Sequence, residues 1–434
     1  MSRIKLRGDK LIWMFVVLLA MISIVSVFSS STYLANKYNV SKVQIFVQQI
    51  RSVGMGLVLL VIAYFIPMKW YRALAFFAFA ISIVMLLMLI IPNQFRVYYN
   101  GAFRALKIKG YTIQVFEIAK VGMILYLAKA MELWQDSINT FKDFFIKLLL
   151  PILAVSLLIM SNSFSTAILI VSISFLVMWF MGIKVKYLLL SCGGFLVLLL
   201  LMFAAYNLFF ANKIVNKKAS ELNAVEYLFN RYGTVQSRIF NHFDNKGVAT
   251  AEMEKEDKDK DFQITNAKIA ISEGGLIGKG PGKSTQRFIL PMAFSDFIYA
   301  SIIEEYGLIM GCIIILIYLM FLFRCIRITM KCNTPFAQTL VIGLSFLIVL
   351  QAFLHISVNV GIIPVTGHTL PLISHGGNAY AIFCAAFGII LSVSKQVNKQ
   401  ERLMREAEEQ NALNAEQATA QQPVTLEEEE VTNE

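Results

Sequence analysis

Apolar residues run in long blocks along this chain, rather than alternating with polar ones or recurring on one helical face. A helix needs about 20 apolar residues to cross a bilayer. Ten blocks of roughly that length occur, at 11–28, 50–67, 73–92, 113–131, 147–162, 164–182, 187–210, 296–323, 337–360 and 377–394. The pattern predicts an all-α, polytopic integral membrane protein with about ten transmembrane helices. A large extracytoplasmic loop, 211–295, is expected between helices 7 and 8. The first block exceeds the apolar stretch of a signal peptide, and nine more follow, so it reads as an uncleaved anchor. Only Ser161-Asn162-Ser163 separates the fifth block from the sixth, which predicts a tight turn.

The polar positions between the blocks orient the chain. Arg3, Lys5, Arg7 and Lys10 precede the first block. Lys69 and Arg72, Lys184 and Lys186, and Arg324, Arg327 and Lys331 occupy alternate connections, and Lys395, Lys399, Arg402 and Arg405 follow the last block. Short cytoplasmic loops carry such an excess, which places both termini in the cytoplasm. Residues 1–394 then form the membrane domain and 395–434 a polar tail. Within that tail 401–418 suits a short polar helix and 421–434 disorder.

Composition narrows the class. Of 434 residues, 57% are hydrophobic and 15% charged, where soluble domains carry roughly 25% charged residues. A soluble enzyme, a disordered scaffold and a disulfide-built module are excluded. The five cysteines lie in apolar runs or a short loop, with no metal-ligand spacing. The net charge of +11 conceals an asymmetry: the tail holds four basic residues and ten glutamates, so the remainder carries +17. Those cations are dispersed between apolar runs, which suits anionic lipid or an anionic substrate rather than nucleic acid.

Ionisable residues in or beside spans are the candidates for chemistry. Glu117 and Lys120, three apart in the fourth span, share a helix face and suit an ion pair. Arg104, Lys107 and Lys109 precede that span and form either a headgroup anchor or a phosphate clamp. Asp296 opens the eighth span, as a helix cap or as a base that accepts a hydroxyl proton. Glu304 and Glu305 lie over two turns deeper, and at least one must face the interior. The glycine-rich run 274–284 fails the Walker spacing and leaves only a backbone nest for phosphate as a binding reading. The Pro- and Gly-rich segment 363–378, with His368 and His375, suits a re-entrant loop.

Together these clusters resemble the SEDS family of peptidoglycan polymerases, the FtsW and RodA proteins, across the whole membrane body. The family's Gly-Ala-x-Arg-Trp and Gln-Pro-Ser-Glu-x-x-Lys look like Gly101-Ala102-Phe103-Arg104-Ala105 and Gln114-Val115-Phe116-Glu117-Ile118-Ala119-Lys120. Its Leu-Pro-Glu-x-x-Thr-Asp-Phe-Ile looks like Leu290 to Ile298, and Leu-Pro-x-x-Ser-Tyr-Gly-Gly looks like Leu370 to Gly377. The chain departs from the pattern at Ala105, Val115, Phe116, Ser163, Met292, His355 and His375.

The resemblance implies a glycosyltransferase that polymerises lipid II into glycan strands and releases undecaprenyl pyrophosphate. It implies Asp296 as catalytic base and Arg104, Lys107, Lys109, Arg238, Lys268, Lys279 and Ser374 as substrate-binding residues. Gln114, Glu117, Lys120, Glu304, Glu305, Gly376 and Gly377 would support them. The leaving pyrophosphate needs cations or a divalent metal, Mg or Mn, for which no ligands are assigned. The expected partners are a class B penicillin-binding transpeptidase, other divisome proteins and membrane lipid, with no nucleic acid. Overall length and the polar tail fit the cell-division branch over the elongation branch. A lipid II flippase and a recruiting scaffold are the alternatives.

Overall fold

The computed structural model describes residues 8–31, 41–91, 94–99, 102–108, 111–138, 140–205 and 251–420. Each of the ten apolar blocks falls on a helix. In chain order these are α1 (Lys10–Ser30), α2 (Lys42–Phe65), α3 (Met68–Ile90), α4 (Val115–Trp134), α5 (Phe141–Met160), α6 (Phe164–Phe180) and α7 (Val185–Ala205). Then follow α8 (Ala251–Gly274), α9 (Ile298–Met330), α10 (Pro335–Val360) and α11 (Asn378–Ala420). Seven of them, α1, α2, α3, α5, α9, α10 and α11, are long and apolar enough to cross a membrane. The other three apolar blocks fall on α4, which carries four charged residues, on α6 with 17 residues, and on α7. This is the helical fold of a multi-pass membrane protein.

Burial ranks the helices. In the most apolar 18-residue stretches of α11 and α10, 78% and 72% of residues are buried, against 22% in α3. α10 is therefore central, packed by α4, α6, α8, α9 and α11, while α3 turns side chains such as Phe77 outward. Lipid supplies no hydrophobic drive between helices, so close backbone approach decides pairing. α2 and α11 meet that way: a Cβ on Gly388 would come within 2.3 Å of the Leu60 carbonyl oxygen.

Three segments differ from the sequence-based expectation. The connection before α4 is not plain loop. It folds into a three-stranded antiparallel sheet, β1 (Arg96–Tyr99), β2 (Ala102–Ile108) and β3 (Tyr111–Gln114), in the order β1-β2-β3. Val97, Tyr98, Tyr99, Phe103, Thr112 and Ile113 are β-formers that a search for membrane spans passes over. The charged stretch 252–261 lies on α8 and not in a loop. α11 runs through residue 394 to Ala420, with Glu401 paired to Lys331 at 2.7 Å. The stretch 421–434 lies outside the described residues.

Polar caps mark one end of the bundle. Asp9 accepts from the amides of Leu11 and Ile12, and pairs with Arg324 of α9 at 2.5 Å. Between α5 and α6 the amides of Asn162 and Ser163 both donate to the Ile159 carbonyl, at 2.9 and 2.8 Å, making a tight turn.

Candidate functional site

At the N-terminus of α9 the chain makes a turn over residues 290–297 that carries Asp296. Met292 adopts φ 58°, and its carbonyl accepts from the amides of Ser295 (3.0 Å) and Phe297 (3.2 Å). A second turn, 370–374, faces the first and holds Leu372 at φ 59°. Left-handed backbone at a non-glycine residue costs about 1–3 kcal/mol, and the bonds between the turns offset it. Ser374 donates its hydroxyl to the Ser295 carbonyl at 2.7 Å and accepts from the Leu370 amide at 2.8 Å. The His375 amide donates to the Phe294 carbonyl at 3.0 Å.

Asn359 of α10 holds the same turn from the other side. Its amide nitrogen donates to the carbonyls of Asp296 (3.0 Å) and His355 (2.8 Å), and its oxygen accepts from the Ala300 amide (3.0 Å). It thereby caps α9 and fixes the backbone of Asp296. Asn359 is fully buried, and it was not among the candidates. Buried polar groups in a span are as informative as ionisable ones, and that signal was present in the sequence.

The side chain of Asp296 is half-buried and lies beside Arg104 of β2. Gly367, at φ 71°, sits between them: a Cβ there would lie 2.9 Å from Arg104 Nη1 and 3.7 Å from Asp296 Oδ2. Enclosure by protein pushes the Asp296 carboxyl up to about 6, against the pull of Arg104 and of the Ser295 hydroxyl. Such a carboxyl is ionised at neutral pH yet basic enough to take a proton. Gly367 is the second residue the sequence reading passed over. It lies in the Pro- and Gly-rich segment, where nothing local separates it from Gly376 and Gly377.

Glu117 and Lys120 are joined at 2.7 Å. Lys120 also donates to Gln351 of α10 at 2.5 Å, and Gln351 donates to the Thr369 carbonyl at 3.2 Å. The ion pair therefore braces α4 against α10 and the segment behind Gly367. Gln114 donates to the Gly376 carbonyl at 3.4 Å, and Asn378 donates to the Thr112 carbonyl. The sheet and the 363–378 segment are thus tied together, with Gly376 and Gly377 at the start of α11.

Other candidates fall elsewhere. Arg104 is the extra residue of a bulge in β2, opposite the Val97–Tyr98 step of β1, whereas Lys107 lies in the regular part of the strand, opposite Thr112, and is exposed. Lys109 and Arg238 lie outside the described residues. Lys268 is exposed on α8 and packs over Gly361, where α10 ends and its carbonyls favour a cation. Lys279 is already paired, with Glu273 and with Glu304, the latter at 3.0 Å. Each carboxylate favours the charged ammonium, and Lys279 in turn holds Glu273 below the usual carboxylate range. Ser374 braces two turns and its hydroxyl is fully engaged.

Glu304 accepts from five donors: Lys279 (3.0 Å), the Ser284 hydroxyl (2.5 Å), the Thr285 amide (2.7 Å) and hydroxyl (3.0 Å), and the Gln286 amide (3.2 Å). Glu305 accepts from Ser29 and from the Gly282 backbone. The glycine-rich run is not a phosphate nest. Its amides at Lys279 and Gly280 donate to the carbonyls of Glu304 and Glu305, both at 2.9 Å, where α9 breaks at Gly307. A Cβ on Gly278 would come within 2.4 Å of the Glu305 carbonyl. Among the described residues no three His, Cys, Asp or Glu side chains converge. Asp296 faces a guanidinium, so the donor set does not fit a resident metal.

The chain is similar to the probable peptidoglycan glycosyltransferase FtsW of Geobacter sp. (strain M18), with 26% identity over 396 residues, 90% of this chain and 97% of that protein. It is similar to the stage V sporulation protein E of Bacillus subtilis (strain 168), with 27% identity over 402 residues, 91% of this chain and 99% of that protein. Two solved structures share the fold at 20% identity. One, reported under the structural coordination of polymerization and crosslinking by a peptidoglycan synthase complex, has TM-score 0.64 and covers 90% of this chain and 98% of that one. The other is the Thermus thermophilus rod shape determining protein RodA, with TM-score 0.60, covering 89% and 97%. The family profile described as cell cycle protein, for FtsW, RodA and SpoVE, matches residues 9–399, and the chain belongs to that family.

Proposed function

We propose that this protein polymerises lipid II into glycan strands at the outer face of the cytoplasmic membrane, in cell division. The observation that carries the reading is Asp296, a half-buried carboxylate with its carboxyl raised to about 6, set beside Arg104 in a family member. Asp296 takes the proton of the acceptor sugar hydroxyl as that oxygen attacks the anomeric carbon of the donor. The bond to the pyrophosphate oxygen breaks, and undecaprenyl pyrophosphate leaves with the electron pair. Arg104 offsets the charge developing on the leaving group.

Both termini lie in the cytoplasm under this reading, in keeping with Arg324, Arg327, Lys331 and Lys395 at the end of the bundle away from Asp296. The partner is a class B penicillin-binding transpeptidase that crosslinks the strands, supported by the likeness to a structure from a peptidoglycan synthase complex. A transporter would use the break in α9, but the carboxylates there are already satisfied by the 274–286 segment. The test is polymerisation of purified lipid II in detergent, with and without the cognate transpeptidase. The wild type lengthens glycan strands and Asp296→Ala does not. Strands made equally by both would overturn the reading.

A further inference from the structure

Beside the Asp296–Arg104 pair lies a set of polar groups that the mechanism above leaves unused. His368 is 7% exposed, and its Nε2 has no hydrogen-bond partner. The Thr366 hydroxyl is buried and also without a partner. Both flank Gly367, the residue that borders Arg104 and Asp296. A polar atom buried without a partner is costly, so two within three residues point to a ligand that completes them.

The surroundings define the ligand. The groups that face His368 are Arg104 from β2, Lys120 from α4, which is paired with Glu117, and the ring of His355 from α10. The His368 backbone carbonyl is held by His355 Nδ1 at 2.8 Å, and the next carbonyl, Thr369, by Gln351. The segment is therefore fixed in place rather than free to turn its ring away. Burial and those cations hold the His368 imidazole well below its ordinary value, so it is neutral at physiological pH. A neutral imidazole with hydrogen on Nε2 donates one bond and adds no charge. One guanidinium, one imidazole donor and one hydroxyl suit phosphoryl oxygens.

We infer that Thr366 and His368 extend the Asp296 site into a pocket for a phosphoryl group, with His368 Nε2 and the Thr366 hydroxyl as donors beside Arg104. This rests on the proposed function for its substrate, a lipid pyrophosphate, and adds two positioning residues that the family motifs do not name. His368 works as a neutral donor, not as an acid or a base. Its contribution is therefore flat between pH 6 and 8.

The test is binding of undecaprenyl pyrophosphate to the full chain in detergent, with undecaprenol as the phosphate-free control. His368→Leu weakens undecaprenyl pyrophosphate about tenfold, Thr366→Val about threefold, and neither alters undecaprenol. His368→Asn, which keeps a donor, restores most of the affinity, and thermal unfolding of all three variants matches the wild type. Inorganic pyrophosphate that competes with the lipid assigns the pocket to the phosphates alone, and failure to compete assigns it to phosphate carried on a lipid. Unchanged affinity in His368→Leu overturns the inference, as does an equal loss for undecaprenol or an equal loss in His368→Asn. Wild type that binds the pyrophosphate lipid but makes no glycan would sink the polymerase reading and leave this pocket standing. In an active enzyme, KM for lipid II rises in His368→Leu while kcat changes little.

Discussion

Two carboxylates eight residues apart on the same polypeptide are treated in opposite ways. Glu304 is fully buried and accepts from five donors, so its charge is cancelled and its geometry fixed. Asp296 is half-buried, has one guanidinium beside it, and borders a segment whose polar atoms lack partners. A saturated carboxylate has nothing left to offer a substrate and serves to pin a loop. An under-satisfied one keeps a lone pair for chemistry. The number of donors, not depth in the span, separates the two carboxylates here.

Exchanging the two roles by mutation is the sharpest way to break that contrast. Asp296→Asn keeps the shape and removes the base, and lipid II polymerisation falls by about 10²–10⁴-fold. Its thermal unfolding temperature at pH 7 stays level or rises. The carboxyl is raised above its unfolded value of 3.8, so ionised Asp296 opposes folding increasingly as pH rises through about 6. A large fall in unfolding temperature would assign Asp296 to structure instead. Glu304→Ala leaves the Thr285 and Gln286 amides and the Ser284 hydroxyl without their acceptor, while Lys279 keeps Glu273. It destabilises by about 3–5 kcal/mol, read as a lower unfolding temperature in detergent, and activity lost there follows the folded fraction.

Smaller effects refine the comparison. Asn359→Ala frees the Asp296 carbonyl and the Ala300 amide and costs about 1–3 kcal/mol, with kcat falling more than KM rises because the base loses its aim. The wild-type rate climbs about tenfold per pH unit below 6 and levels above it, since the base must be ionised. A profile with no inflection near 6 would count against Asp296 as the base. Lys107→Ala changes polymerisation less than about twofold, because its side chain is exposed, whereas Arg104 is half-buried beside Asp296.

Much of the architecture was legible in the chain. Apolar length alone located ten helices, and motif order located Asp296, Arg104 and the Glu117–Lys120 pair. The roles given to Lys107, Lys279 and the glycine-rich run did not survive, for physical reasons particular to each. Lys107 depends on its exposure in the regular part of β2, which was invisible until residues 96–114 were known to form a sheet. Lys279 depends on a carboxylate 25 residues away. The glycines 274–284 read equally as a nest or a close-packing surface until α9 was seen to break beside them.

Apolar length and charge bias determined the ten apolar helices because the bilayer, not the neighbouring chain, sets that requirement, whereas the polar α8 escaped them. Residue identity alone marked Asp296 as a candidate. Which carboxylate is satisfied, which lysine is neutralised and which glycine parts Arg104 from Asp296 were decided only by tertiary structure. Hydrogen bonds and ion pairs act over a few ångströms, and the groups they join here are separated along the chain by up to hundreds of residues.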